Sequence, residues 1–297
     1  MGDDRSDRPV PAAPRPPQPD AGGGSGGPAR RPGTFRKITS TANPAIKDIR
    51  ALDVRKYRNE TGLFLAEGLK LVADAMDAGW PPETLVVTAG RPAFADAVAA
   101  RARAAGTDII ETSRAVMEKI TRRDNPQAVV GVFRQRAASL ADVAADGGLW
   151  VGLDRARDPG NIGTIIRTVD AAGGRGLILI GDTADPFGLE AVRATMGSIF
   201  HVPVARTSEA AFLAWRTASR WPVIGSHLEA TDDFRRASLA EPGILLMGAE
   251  QSGLSGALAA ACDRLVKIPM AGHADSLNLA VAAGILLFEL RRPSLRL

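Results

Sequence analysis

"LWVGLDRARDPGNIGTIIRTVDAAGGRGLILI", from Leu149 to Ile180, reads as strand, helix, strand. "LWVGL" and "GLILI" are short continuous apolar runs, the pattern of strands covered on both faces of a parallel sheet. Between them "NIGTIIRTVDAAG" carries apolar residues at helical spacing and ends at Gly173. A crossover of this kind builds an α/β domain. Downstream the alternation continues, with "GLEAVRATMGSIF" as a helix and "HVPVA" as a strand. "WPVIGS", "GILLMG" and "LVKIP" follow "SEAAFLAWRTAS" as further buried strands. The last element, within "HADSLNLAVAAGILLFEL" (residues 273–290), is an apolar helix that nevertheless opens with Ser276, Leu277 and Asn278.

Upstream, residues 38–136 form a smaller α/β series. "NPAIKDIRALDVRKYRNETG" is a basic amphipathic helix with Ile46, Ile49 and Leu52 on one side. "LFLAEGLKLVADAMDAG" is a short strand running into a helix. "TLVVT", "TDIIET" and "AVVGVFR" are strands, and "AFADAVAARARAAG" and "AVMEKIT" are helices. "AASLADVAADGG" is a linker or short connecting helix. Residues 1–36, rich in Pro, Gly, Arg and Asp, lack the apolar side chains that offset ordering entropy and are expected to be disordered. The predicted organisation is a tail over 1–36, a substrate-binding domain over 37–137, a linker over 138–148 and a second α/β domain over 149–297.

Composition narrows the function. Net charge is +4 over 297 residues. Residues 38–137 hold 15 basic and 12 acidic side chains, while residues 138–297 hold 15 and 17. A basic front and a mildly acidic back suit a polyanion held by the first half. One cysteine, Cys262, excludes an intrachain disulfide and fits a reducing cytoplasm. Three scattered histidines argue against a metal site. No apolar run reaches the roughly 18–20 residues of a membrane span. "GGGSGG" matches a dinucleotide fingerprint through Gly22, Gly24 and Gly27, but no strand precedes it and no helix follows.

In doubly wound domains ligands bind beyond the carboxyl ends of the strands. Three segments there carry polar residues in apolar surroundings. Asn161 and Arg167 follow the strand at 149–153, Glu250 follows "LLMG", and Ser276 and Asn278 follow "LVKIP". Each has a local explanation: Asn161 as a helix cap, Arg167 paired with Asp170, Glu250 at a helix start, Ser276 and Asn278 on orphan N–H groups. Their coincidence at three strand ends favours one shared site. Neither a phosphate loop nor a nucleophile elbow occurs.

"DPGNIGTIIRTVDAAG", "LLMGAEQSGLS" and "IPMAGHADSLNLAVAAGILLFE" resemble, in order and spacing, the three motifs of the SpoU-type (TrmH-like) RNA ribose 2′-O-methyltransferases of the SPOUT superfamily. "FLAEGLKLVADA" and "NPQAVVGV" resemble landmarks of that family's N-terminal substrate-binding domain. The resemblance implies a SPOUT α/β domain with a trefoil knot over a mostly parallel sheet. It implies S-adenosylmethionine held by the backbones around Met247, Gly248, Ile268, Met270 and Leu277. Asn161, Arg167, Glu250, Ser276 and Asn278 match its catalytic and RNA-contacting set. RNA is the implied partner, ribosomal RNA first and transfer RNA second, with a homodimer as the assembly. The proton acceptor stays open. Two rivals remain: an RNA-binding protein with a degenerate methyltransferase domain, and a nucleotide-dependent enzyme of another class. The missing fingerprint speaks against the second.

Overall fold

The apolar runs of the first half pair into a five-stranded sheet. The computed structural model describes residues 31–239 and 241–296. Its first elements are β1 (Phe35–Lys37), α1 (Pro44–Ala51), α2 (Arg55–Thr61), β2 (Leu63–Glu67), α3 (Leu69–Asp77), β3 (Thr84–Thr88), α4 (Ala93–Ala104), β4 (Asp108–Thr112), α5 (Arg114–Thr121) and β5 (Val129–Arg134). The strand order is β1-β4-β3-β5-β2, with β5 antiparallel to both β2 and β3.

Two expectations are corrected here. The boundary at residue 36 is too late, because β1 pairs with β4, Phe35 opposite Ile109. The approach is held by Gly33, where a Cβ would stand 1.9 Å from the Thr107 carbonyl oxygen. Thr34 also donates its N–H and hydroxyl to the Asp108 carboxylate at 2.8 and 2.6 Å. The disorder expected before that point concerns residues 1–30, outside the described residues. The single basic helix expected over 43–62 is two helices. The buried Arg58 guanidinium donates to the Leu52 and Asp53 carbonyls at 2.7 and 2.8 Å. Those carbonyls therefore find a side-chain donor where a continuing helix would have supplied a backbone N–H.

The second half supplies β6 (Ala137–Ala138), α6 (Leu140–Asp146), β7 (Leu149–Asp154), α7 (Pro159–Ala171), β8 (Gly176–Ile180), α8 (Leu189–Thr195), β9 (Val204–Thr207), α9 (Glu209–Ser219), β10 (Val223–Ser226), β11 (Asp232–Asp233), β12 (Gly243–Met247), α10 (Gly256–Ala260), β13 (Arg264–Lys267) and α11 (Leu279–Arg291). Its eight strands run parallel in the order β11-β13-β10-β12-β7-β8-β9-β6. The crossover at 149–180 is thus β7-α7-β8, at the sheet's centre. The stretch expected as a linker or short connecting helix holds that helix, α6, preceded by β6, which pairs with β9 and so joins this sheet. Ser139 then starts α6 with a reciprocal capping box to Asp142. A two-residue strand is too short to show a periodicity, although Ser139-x-x-Asp142 is a helix-start signal.

The two sheets share a core. Phe64 and Phe133 of the first domain meet Phe187 and Phe200 of the second, with centroids 4.9 Å apart for Phe64–Phe187 and for Phe133–Phe200. Ion pairs cross the seam. Arg58 Nε donates to Asp185 at 2.8 Å and Arg193 donates to Glu67 at 3.0 and 2.7 Å, while within the second domain Arg206 pairs with the same Asp185 carboxylate. Burial pushes the Asp185 carboxyl up, but Arg206 and Arg58 more than offset this and hold it below the usual range. At the centre of the second domain α7 and α8 approach closely: a Cβ on Gly163 would lie 2.3 Å from the Ala191 carbonyl oxygen.

Candidate active site at the carboxyl edge of the sheet

In a parallel sheet every strand delivers its following loop to the same edge. The loop after β7 ends at Asp158, whose carboxylate accepts the Asn161 N–H at 2.6 Å and caps α7, with Pro159 in the first turn. The cap expected at Asn161 is therefore Asp158. Asn161 sits in the first turn with its side chain released for other contacts.

Those contacts come from two other loops. Asn161 Nδ2 donates to Glu250 Oε1 at 2.9 Å, and Asn278 Nδ2 donates to Asn161 Oδ1 at 2.9 Å. Asn278 is in turn the N-cap of α11, its Oδ1 accepting from Ala280 and Val281 N–H at 2.9 and 3.3 Å. The carboxylate accepts one amide hydrogen of Asn161, which turns the amide carbonyl toward Asn278, so each group fixes the next one's orientation. Glu250 lies in a tight turn after β12, and the α11 backbone starts at Leu279, after the Ser276-Leu277-Asn278 entry. Arg167 stands exposed on α7, unpaired among the described residues. The local alternative weighed for it, a pairing with Asp170, is absent among the described residues. Ser276 is exposed and lines the cleft described next, outside the hydrogen-bonded trio.

The turn after β12 is drawn tight by Gly248, where a Cβ would stand 2.1 Å from Gly253 C and Leu254 N. Ala249 and Gly253 exchange backbone hydrogen bonds at 3.1 and 2.9 Å. Asp154, buried at the end of β7, accepts the Ser255 N–H at 2.9 Å and both Arg155 donors at 2.8 Å. Asp154 is a positioning residue that the sequence reading missed, although a carboxylate ending an apolar strand is a visible signal.

Beside the trio opens a cleft of about 370 Å³. It contains all five residues expected to hold the methyl donor: Met247, Gly248, Ile268, Met270 and Leu277. The 226–229 loop after β10 also lines it and was missed, because nothing in "SHLE" departs from an ordinary loop. Apolar side chains face the cleft from Met247, Ile268 and Leu279, and exposed loop backbone supplies polar atoms. Gly253, left-handed at φ +64, leaves open space where a Cβ would be, so a ligand can approach the main chain. The residues fit a purine-bearing cofactor with an aliphatic chain. A second hollow, walled by Trp80, Arg136 and Phe200, lies at the seam of the two domains. Among the described residues no acidic, His or Cys cluster could hold a metal ion, and no helix is long and apolar enough to cross a membrane.

A parallel α/β sheet with a cleft at its carboxyl edge and a relay of amides and one carboxylate beside it is an arrangement that binds a small-molecule ligand beyond the strand ends. Family models match both halves: the SpoU rRNA Methylase family over residues 148–288 and the MRM3-like substrate binding domain over residues 43–131. The 23S rRNA (guanosine(2553)-2′-O)-methyltransferase RlmP of Bacillus subtilis is 32% identical over 259 residues, 86% of this chain and 100% of the relative. The 23S rRNA (uridine(2479)-2′-O)-methyltransferase of Streptomyces viridochromogenes is 35% identical over 86% of this chain and 91% of the relative. An AdoMet-bound rRNA methyltransferase from Sinorhizobium meliloti superimposes with a TM-score of 0.83 at 50% identity, covering 89% of this chain and 100% of that one. The chain belongs to the SpoU rRNA methylase family.

Proposed function

We propose that this protein transfers a methyl group from S-adenosylmethionine to a ribose 2′-hydroxyl of ribosomal RNA. The observation that carries the reading is the Glu250–Asn161–Asn278 relay, which reaches the cleft through Glu250. Three loops far apart in sequence meet there through polar groups that no packing requirement demands. The cofactor supplies an electrophilic methyl on a sulfonium. The chain's work is to hold oxygen, carbon and sulfur in line.

Met247, Gly248, Ile268, Met270 and Leu277 hold the cofactor, their apolar walls and main-chain groups suiting an adenine and a short aliphatic chain. Asn161 and Asn278 orient the ribose. Ser276, exposed on the cleft wall, contributes a hydroxyl to the same face. Arg167 binds a phosphate beside the target ribose, because a guanidinium keeps its charge and cannot take the proton of the hydroxyl. Glu250 spends one oxygen on Asn161, which supports an orienting role. A 2′-hydroxyl acceptor makes the substrate RNA, since DNA lacks it. The place of work is the cytoplasm, where ribosomal RNA is modified.

Two finer points belong to the same proposal. After β12 the chain crosses to β13 beyond β10, then returns so that α11 lies against α7. That path supports a trefoil knot, with the 249–278 loops looped around the entry to α11. Val281, Ile285 and Phe288 recur at helical spacing on α11 and are 51, 37 and 44% exposed. An apolar stripe this open supports a homodimer.

The test is calorimetric titration of the full chain with S-adenosylmethionine. Mapping of ribose methylation in total RNA, with and without the gene, accompanies it. One ribosomal nucleotide that loses its methyl in the gene's absence supports the reading. Binding without any methylated RNA leaves a degenerate, RNA-binding protein, and a transfer-RNA product changes the substrate.

A further inference from the structure

The first domain meets the carboxyl edge of the second sheet at one corner, and that corner is basic, rigid and aromatic. Residues 47–58 hold five basic and two acidic side chains. Arg58 roots α2 from beneath, through Asp185 and the two carbonyls that end α1. Arg55 Nη1 donates to the Thr183 carbonyl at 3.0 Å, fixing the start of α2 to the loop after β8. That loop is tied in turn to the loop after β7, since Ala184 N–H donates to the Ala156 carbonyl at 2.8 Å. Arg157, next to the cap of α7, pairs with Asp182 at 3.6 Å and is largely exposed. Arg55 and Arg157 therefore rest on consecutive residues of one loop, and Arg157 stands four residues before Asn161.

On the outer face of this corner is Tyr57, the chain's one tyrosine, 46% exposed, beside an exposed Val54. The ring lies outside the buried cores of both sheets. Lys56 precedes Tyr57 on α2, and Arg122 is held at the α1–α2 junction by Asp53; both are largely exposed, Lys56 in a loose surface pair with Glu60 and Arg122 in that single salt bridge. An exposed ring on a basic helix end is a feature that binds an unpaired nucleic-acid strand, bases stacking on the ring and phosphates running along the charges.

We propose that Tyr57 is a stacking platform for an unpaired base of the RNA substrate. Arg55, Lys56 and Arg157 carry the strand from that base to the Glu250–Asn161–Asn278 relay. This rests on the reading of the substrate as RNA and adds where that RNA is gripped outside the cleft. It also makes single-stranded RNA, rather than duplex, the form that is held at the corner. The latch through Arg58 and Asp185 keeps the distance from platform to relay constant, so the stacked base would set which neighbouring ribose is presented.

The experiment uses the full chain, loaded with S-adenosylmethionine, and a fluorescein-labelled oligoribonucleotide of about a dozen unpaired nucleotides. A duplex RNA of equal length is the competitor. Tyr57→Ala is expected to weaken binding roughly 5- to 150-fold, the range for losing one base stack. Tyr57→Phe and Tyr57→Trp are expected to restore it, and Arg157→Ala to flatten its salt dependence. Cofactor affinity and the melting transition should match the parent in every variant. Equal RNA affinity in Tyr57→Ala overturns the platform, as does a loss that Phe and Trp fail to restore. A change in oligomeric state with RNA affinity intact would assign the patch to a protein contact and overturn it too. A parent chain that methylates ribosomal RNA while its Tyr57→Ala variant behaves identically sinks the platform alone. A parent chain that neither binds nor methylates RNA sinks the substrate reading beneath it.

Discussion

Asn161 sits between a carboxylate and a second amide, and its two side-chain ends are not interchangeable there. Only Nδ2 can donate to Glu250, and only Oδ1 can accept from Asn278. Glu250→Gln keeps an oxygen to receive the amide, whereas Glu250→Ala strands it. If Glu250 orients Asn161, the Gln variant stays within about threefold of the parent kcat/KM. The Ala variant loses roughly 10- to 100-fold, the worth of a hydrogen bond to a charged group. Equal, severe losses in both would make Glu250 the proton acceptor. Arg167 makes a different prediction because it stands outside the relay. Arg167→Ala should cost about 2–4 kcal/mol of transition-state stabilisation, some 30- to 1000-fold in rate. Cofactor affinity should be retained. Turnover near the parent value would take Arg167 out of the mechanism.

Elements carry these residues into register, and one buried carboxylate joins two guanidinium groups at the seam between the domains. Asp185 at the head of α8 is shared by Arg58 and Arg206 and caps the turn at Phe187 N–H, 3.1 Å away. Asp185→Ala leaves a buried guanidinium without its counter-charge and should destabilise by about 3–5 kcal/mol in denaturant melts. The sign of the acid dependence follows from the lowered carboxyl. A depressed carboxyl contributes stability above its unfolded value, about 3.9. That contribution disappears as pH falls from there through the folded value. The parent should therefore lose stability below about pH 4 more steeply than Asp185→Ala does. Parallel curves for the two proteins would remove Asp185 from the latch.

At the scale of the whole molecule, both ends of the folded chain make predictions. Phe288→Glu on α11 places a charge in the exposed apolar stripe. It should halve the mass seen by light scattering at micromolar concentration and leave the melting of the monomer nearly unchanged. A parent chain that is already a fully active monomer defeats the dimer. At the other end, a deletion of residues 1–36 removes two of the three residues of β1 and the Thr34 bonds to Asp108. A deletion of 1–30 spares both. The longer deletion should cost about 2 kcal/mol relative to the shorter, lowering Tm by roughly 4–8 °C. Equal melting temperatures would show that β1 adds no stability.

What the sequence by itself determined was whatever repeats at short range. Continuous apolar runs identified the buried parallel strands, helical spacing identified α7 and α11, and the order of three polar loops pointed to one carboxyl edge. Motif resemblance added the residues of the cleft, all of which the structure brings together. Only the tertiary structure decided the rest, because it depends on groups far apart in sequence. Arg58 breaks a helix that periodicity runs straight through, and it does so from beneath, using Asp185 of the other domain. Asp158 takes the capping role and frees Asn161 for Glu250 and Asn278, which lie 89 and 117 residues away. Residues 35–37 and 137–138 are too short to carry a period, and they become strands because neighbouring strands offer unpaired backbone groups. Local pattern records what a segment can bury, and hydrogen-bonding partners are settled only when distant segments meet.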